Sequence, residues 1–281
     1  MFAALVSALA ASVSLIIDKI TLSRERMALR VYLPLVFVFL FAFTLLLVPT
    51  LGRVEWAIAL LPNSLFLLFM MIVLGISWNV LFYQSVQKER IYEHEMITML
   101  APLVTIILAA VFFPEERDMR IFMLALVASV ALFFARSEKA HFLLDQQGYN
   151  LFLGVILMSA ESIIFRELLY SYSPVALYAV RTLILAVFFW LYYAPRYKQV
   201  TNKHWWFIAS SALFGAVSML TRLYAFSTIG VIHATLIAII SPLVVFFGSW
   251  EILHERIRVR VVIASLVILG AVSWATVLAF N

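Results

Sequence analysis

The chain has 281 residues, 65% of them apolar and 12% charged, with a net charge of +5 and no cysteine. Soluble domains average nearer half apolar and a quarter charged, so a soluble globular domain is excluded. The missing thiol also removes disulfides, thiolate metal sites and redox motifs.

Apolar residues arrive in long blocks and not at amphipathic spacing. A helix needs about 20 of them to cross the roughly 30 Å hydrocarbon layer. Taken in order, ten blocks fit: Phe2–Ile17, Val31–Val48, Ser64–Tyr83, Tyr92–Phe113, Met119–Ala135, Asn150–Tyr170, Pro174–Tyr193, Trp205–Phe226, Gly230–Trp250 and Val261–Phe280. A membrane barrel is excluded, because its strands alternate in short segments. The expected class is an all-α polytopic membrane protein with short connections and no inserted soluble domain. Ala8-Leu9-Ala10 has the look of a signal cleavage site, but no basic segment precedes Phe2, so a retained first helix is expected. Basic residues lie at helix ends, where headgroups and the positive-inside rule account for them without nucleic acid.

One stretch is written twice. Met96 to Val104 contains Ala101-Pro102-Leu103-Val104 and reaches Glu115; Leu236 to Val244 contains Ser241-Pro242-Leu243-Val244 and reaches Glu255. At a fixed offset of 140, Glu95–Ala135 and Thr235–Ala275 share ten identities in 41 positions, including Arg120 with Arg260. The sequence divides into a repeat over residues 1–136, a polar connection over 137–148 and a second repeat over 149–281. Five helices is an odd number, so the second repeat enters the membrane from the opposite side. Inverted repeats with interrupted helices in corresponding positions point to a transporter site at mid-membrane.

These residues resemble the drug/metabolite transporter superfamily, specifically its ten-helix EamA-type transporters. The two Pro-Leu-Val segments, Glu115-Glu116-Arg117, Glu255-Arg256 and Tyr224-Ala225-Phe226 carry the resemblance. Gly270 fits the family's glycine late in the fifth helix of a repeat, whereas Val130 does not. The resemblance implies helices one, three, four, six, eight and nine around a central cavity. It also implies cytoplasmic termini. Charge counting says the opposite: fourteen Lys and Arg fall after odd-numbered helices, against Arg53, Arg117 and Arg120 on the other side, which puts the termini outside.

Charge inside the hydrocarbon is costly and faces a cavity or a partner. Glu161, flanked by Ser159 and Ser162, is the first candidate for a cation- or proton-binding group; the alternative is an ion pair with Arg166 or another helix's arginine. Glu95 heads a stripe with Thr98, Pro102 and Thr105, and a proline there frees backbone carbonyls for a ligand; the alternative is snorkelling to the interface. Trp78, Asn79 and Tyr83, beside Gly75 and Phe82, offer an aromatic and polar face suited to an ammonium group. Arg222 and Tyr224 offer a second such face. His233 stands opposite Glu93 in the repeat. Ser7, Ala11, Ser14 and Asp18 form a small, polar face at i, i+4, i+7 and i+11, read as packing or as cavity lining. Pro102 and Pro242 are helix breaks or gates. Glu115 and Glu255 are helix-end carboxylates that favour the next helix's N-terminus. Arg181 is assigned to structure, since its helix is peripheral in the resembled fold.

No metal-ligand spacing and no glycine-rich phosphate loop occurs, so no enzyme, metal, cofactor or ATPase subunit is expected. The leading expectation is a secondary transporter, working as an antiporter, for an amine, amino acid or other cationic or zwitterionic solute, with protons as the coupling partner. A second reading takes an anionic or phosphorylated metabolite on Arg222, and a third a membrane scaffold. The expected partners are a small solute and the lipid bilayer, and the expected location is a bacterial or archaeal plasma membrane.

Overall fold

A computed structural model describes residues 1–88, 100–113, 146–195 and 200–238 without interruption, with scattered positions from 94 to 130 and from 240 to 274. Glu95, Glu115, Glu255 and Pro242 lie outside the described residues, as does most of the spans Met119–Ala135 and Val261–Phe280. Among the described residues every regular element is helical. Among the described residues four helices are long and apolar enough to cross a membrane: Phe2–Arg24, Pro62–Lys88, Pro174–Tyr193 and Asn202–Ala238.

The first helix, α1 (Phe2–Lys19), has no proline or glycine to interrupt it and runs into a π turn at Ile20–Arg24. That turn ends where Arg26 takes a left-handed backbone with φ of 52°, and the chain reverses into α2 (Leu29–Leu45). Two single turns follow, α3 (Val48–Leu51) and α4 (Trp56–Ala59). The extended backbone between them pairs with the loop at Ser171 to Ser173: the Glu55 amide donates to the Ser171 carbonyl at 2.8 Å and the Ser173 amide to the Arg53 carbonyl at 2.9 Å. Such pairing satisfies backbone groups at a level where helices end.

The long α5 (Pro62–Lys88) packs on α7 (Gln146–Leu168), which also receives α6 (Leu100–Phe112). Helix α8 (Pro174–Tyr193) matches its predicted span at both ends, because both ends carry stop signals. The Ser173 hydroxyl accepts from the Ala176 amide, Pro174 occupies the first turn, and Ala194 turns left-handed at φ 40°; Ser at the cap and Pro just inside it are strong start signals.

The run α9 (Asn202–Ala238) joins two helices across a kink at Gly230, where the expected pair Trp205–Phe226 and Gly230–Trp250 also divides. The helical run does not stop at Ser227 and Thr228, whose hydroxyls both donate back to the Tyr224 carbonyl at 2.9 Å; such bonds hide these polar side chains within the helix. The break comes at Gly230, with φ 79° and ψ 169°, a region open almost only to glycine. Among the described elements the most extensive packing joins α1 to α9. Exposed Leu, Phe, Trp and Val side chains cover the outer faces of α5, α8 and α9, as lipid-facing surfaces require.

Candidate functional site

A cavity of about 270 Å³ lies between these helices. Its wall takes Ser7, Ser14 and Asp18 from α1, Trp78, Asn79, Phe82 and Tyr83 from α5, and Pro102 from α6. Tyr178 and Arg181 come from α8, and Ser211, Gly215, Ser218, Arg222 and Thr235 from α9. The serines and glycine of α1 and α9 permit close approach there. Ser7 Oγ lies 3.4 Å from Ser218 Oγ, and Ser14 Oγ donates to the Ser211 carbonyl at 3.1 Å.

Charge stands in or directly behind this wall in three places. Glu161 on α7 is 1% exposed and is gripped by Arg181, whose Nε donates to Oε1 at 2.8 Å and whose second terminal nitrogen donates to Oε2 at 3.1 Å. Trp78 Nε1 also donates to Oε2 at 2.7 Å, and the guanidinium lies 5.7 Å from the Trp78 ring. Two parallel donors from a planar guanidinium make this the strong, geometrically specific form of the pair. The absence of a side chain at Gly75 makes room for it, since a Cβ there would stand 2.8 Å from Glu161 Oε1.

Asp18, 3% exposed, accepts hydrogen bonds from Tyr32 Oη and Ser211 Oγ. Arg222 is the third charge. Its Nε is buried with no hydrogen-bond partner among the described residues, one terminal nitrogen makes a long 3.5 Å contact to Ser162 Oγ, and the guanidinium lies 5.3 Å from the Phe226 ring. Thr235 Oγ1 is likewise buried and unpartnered. Unpaired polar groups at a cavity wall carry the cost of lost hydration until something polar meets them.

Residues 148–277 match the sequence profile of the EamA-like transporter family. That match supports membership in the drug/metabolite transporter superfamily. No curated protein matches the chain by sequence. A solved crystal structure superposes with a TM-score of 0.77 at 15% sequence identity, covering 99% of this chain and 96% of that chain; at this identity the likeness concerns the fold alone. The matched family is one of transporters, and it is this stretch of the chain that is similar to it.

Of the residues singled out in the sequence, Trp78, Asn79, Tyr83, Ser14, Arg222 and Pro102 come together at the cavity wall. Glu161 stands behind it, reached through Trp78 and Arg181. Tyr224 is 55% exposed, and neither it nor His233 belongs to the wall. Asn79 spends one donor on its own helix, to the Gly75 carbonyl at 2.7 Å. Arg181, assigned to structure, pairs with Glu161, and its long side chain also reaches inward from α8 to line the cavity. Asp18 gains a role beyond packing by lining the cavity with Ser211. The signal for Ser211 was present: Ser211, Gly215, Ser218 and Arg222 repeat the i, i+4, i+7, i+11 spacing of Ser7, Ala11, Ser14 and Asp18. Among the described residues no His, Asp and Glu group could hold a metal ion.

Proposed function

We propose that the protein is a secondary transporter of a small zwitterionic solute, an amino acid or a related amine, moved by alternating access between two inverted five-helix halves. The observation that carries this reading is Arg222: a guanidinium whose buried Nε has no partner among the described residues, on an aromatic-walled cavity that the likewise unpartnered hydroxyl of Thr235 also lines. A carboxylate is the ligand group that meets both donors. Phe82 and Tyr83 present ring surface to the same cavity, which suits an ammonium group through cation–π attraction. Glu161 serves here as a positioning group, holding Arg181 and the Trp78 indole in the wall and spending its charge on them.

The same guanidinium favours a second reading, a purely anionic or phosphorylated metabolite. A thermal-shift screen of the solubilised protein separates the two, because a ligand that binds only the folded state raises its apparent stability. Amino acids are expected to raise the melting temperature, and Arg222→Ala to abolish the shift. Stabilisation by phosphorylated metabolites alone would transfer the assignment to the second reading. Stabilisation by simple amines that survives Arg222→Ala would sink both. If no solute class binds and another membrane protein co-purifies in fixed ratio, the molecule is a scaffold.

A further inference from the structure

Solute recognition at Arg222 leaves one cavity carboxylate without a task. Asp18 ends the small-residue stripe of α1, where that helix crosses α9 antiparallel along the Ser7–Ser218 and Ser14–Ser211 contacts. Both hydroxyl partners of Asp18, Tyr32 and Ser211, donate to the same oxygen, Oδ1. The other oxygen, Oδ2, has no partner among the described residues, and Asp18 lines the cavity. Asp18 also forms no salt bridge among the described residues although it is almost fully removed from water. A charge so placed is expensive unless something neutralises it.

The groups around Asp18 cannot serve as its countercharge. Tyr32 from α2 packs edge-on to Tyr83 from α5 at 5.6 Å, and both are neutral phenols. Across the cavity stand Tyr178 and Arg181 from α8, the latter held by Glu161. Lys19, the next residue, donates its ammonium to the Val86 carbonyl at 2.8 Å. Tyr32 and Ser211 both approach Oδ1, and the Tyr32 hydroxyl also lies 3.3 Å from Ser211 Oγ. The cluster offers Oδ2, the landing place for one proton.

We infer that Asp18 is the coupling group of the transport cycle, taking up a proton on Oδ2 while the cavity faces one side and releasing it while the cavity faces the other. Each half-cycle makes and breaks one O–H bond, and the proton's source and destination are the two aqueous phases. This role rests on the transporter reading. Its first test does not need a solute: infrared difference spectra of the purified, lipid-reconstituted protein, recorded between acidic and alkaline pH. A protonated-carboxyl band that titrates, is lost in Asp18→Asn and is retained in Glu161→Gln is the expected result. Tyr32→Phe should shift that band without abolishing it. A spectrum with no such band, or one that Asp18→Asn leaves intact, overturns the assignment even if solute transport is robust.

The second arm uses proteoliposomes and a mixture of radiolabelled amino acids. Asp18→Asn is expected to keep equilibrium exchange across the membrane and to lose accumulation driven by a pH gradient, by tenfold or more. Accumulation driven by a sodium gradient at equal pH, or pH-driven accumulation unchanged in Asp18→Asn, overturns the coupling role. Absence of any exchange by the unmodified protein instead removes the amino-acid reading and the coupling role with it, while the infrared band still reports whether Asp18 binds a proton.

Discussion

Glu161 and Asp18 are both carboxylates almost without solvent exposure, and they differ in what faces them. Glu161 meets a guanidinium in a two-point pair and an indole N–H. Asp18 meets two neutral hydroxyls on one oxygen, and the other has no partner among the described residues. The first arrangement fixes charge: neither partner can change its state without stranding the other, so the pair acts as a strut between α7, α8 and α5. The second tolerates a change of charge, because no partner is stranded by it. Burial alone therefore does not identify a working carboxylate; the absence of a countercharge does.

The largest expected effect comes from breaking the strut. Arg181→Ala leaves Glu161 buried and unpaired, and should cost about 3–5 kcal/mol in unfolding of the solubilised protein. The double change Glu161→Gln with Arg181→Met should recover most of that loss, since no charge is then left stranded. A single-variant cost no larger than that of an ordinary outward-facing residue would show that the pair is not a strut.

Two glycines sharpen the contrast at smaller magnitude. A Cβ at Gly75 would stand 2.8 Å from Glu161 Oε1 and 3.3 Å from a terminal nitrogen of Arg181. Gly75→Ala should therefore cost about 1–3 kcal/mol, the usual range for overpacking. At Gly215, on the seam beside Asp18, the added Cβ meets only Leu40 Cδ2 at 3.3 Å and Ser14 Oγ at 3.5 Å. Both are movable side-chain ends, and alanine is the better helix former by about 1 kcal/mol, so Gly215→Ala should be close to neutral. Equal losses at the two positions, read from the same unfolding curves, would erase the distinction between a rigid and a yielding wall.

Asp18→Asn should be milder than Arg181→Ala. Asparagine keeps an acceptor oxygen for Tyr32 and Ser211, so the loss should stay near the roughly 1 kcal/mol of a single weakened hydrogen bond. A loss matching that of Arg181→Ala would mean that Asp18 is a structural anion and not a group free to change charge.

How much of this was written in the sequence depends on the range of the interaction. The helices were legible because hydropathy and local stop signals act over a few residues, and Pro174–Tyr193 carries both kinds at its ends. The division after Phe226 was legible too, although helix continues through Ser227 and Thr228, whose hydroxyls find the Tyr224 carbonyl, and breaks at Gly230. Glu161 stood out as a charge inside an apolar block, but its partner did not. Arg166 lies five residues on, about 140° around the same helix, and instead covers the Tyr170 ring at 5.0 Å. The true partner comes from another helix, a choice set by tertiary packing. Asp18 was visible as the end of a small, polar face, and only the arrival of Tyr32 and Ser211 from two other helices distinguishes a cavity carboxylate from a packing residue.

A third carboxylate, outside the membrane-spanning part of α1, gives the smallest effect and a control for the other two. Glu25 follows the π turn and accepts from Lys203 Nζ at 2.6 Å, in a pair whose lysine is 61% exposed. The hydrogen bond and charge of Lys203, with smaller help from His204 and Arg24, hold the Glu25 carboxyl below its ordinary value of 4.5. A depressed value in the folded protein means that the stabilisation is complete above the ordinary value and is lost as pH falls through the folded one. Its window therefore lies below 4.5. Melting temperatures of the unmodified protein and of Lys203→Met should differ slightly at neutral pH and low salt, and converge both in strong acid and in high salt, since an exposed pair is screened. A difference that survives high salt, or grows as the pH falls, would show that solvent does not screen this pair, and the contrast between exposed and buried carboxylates would lose its reference.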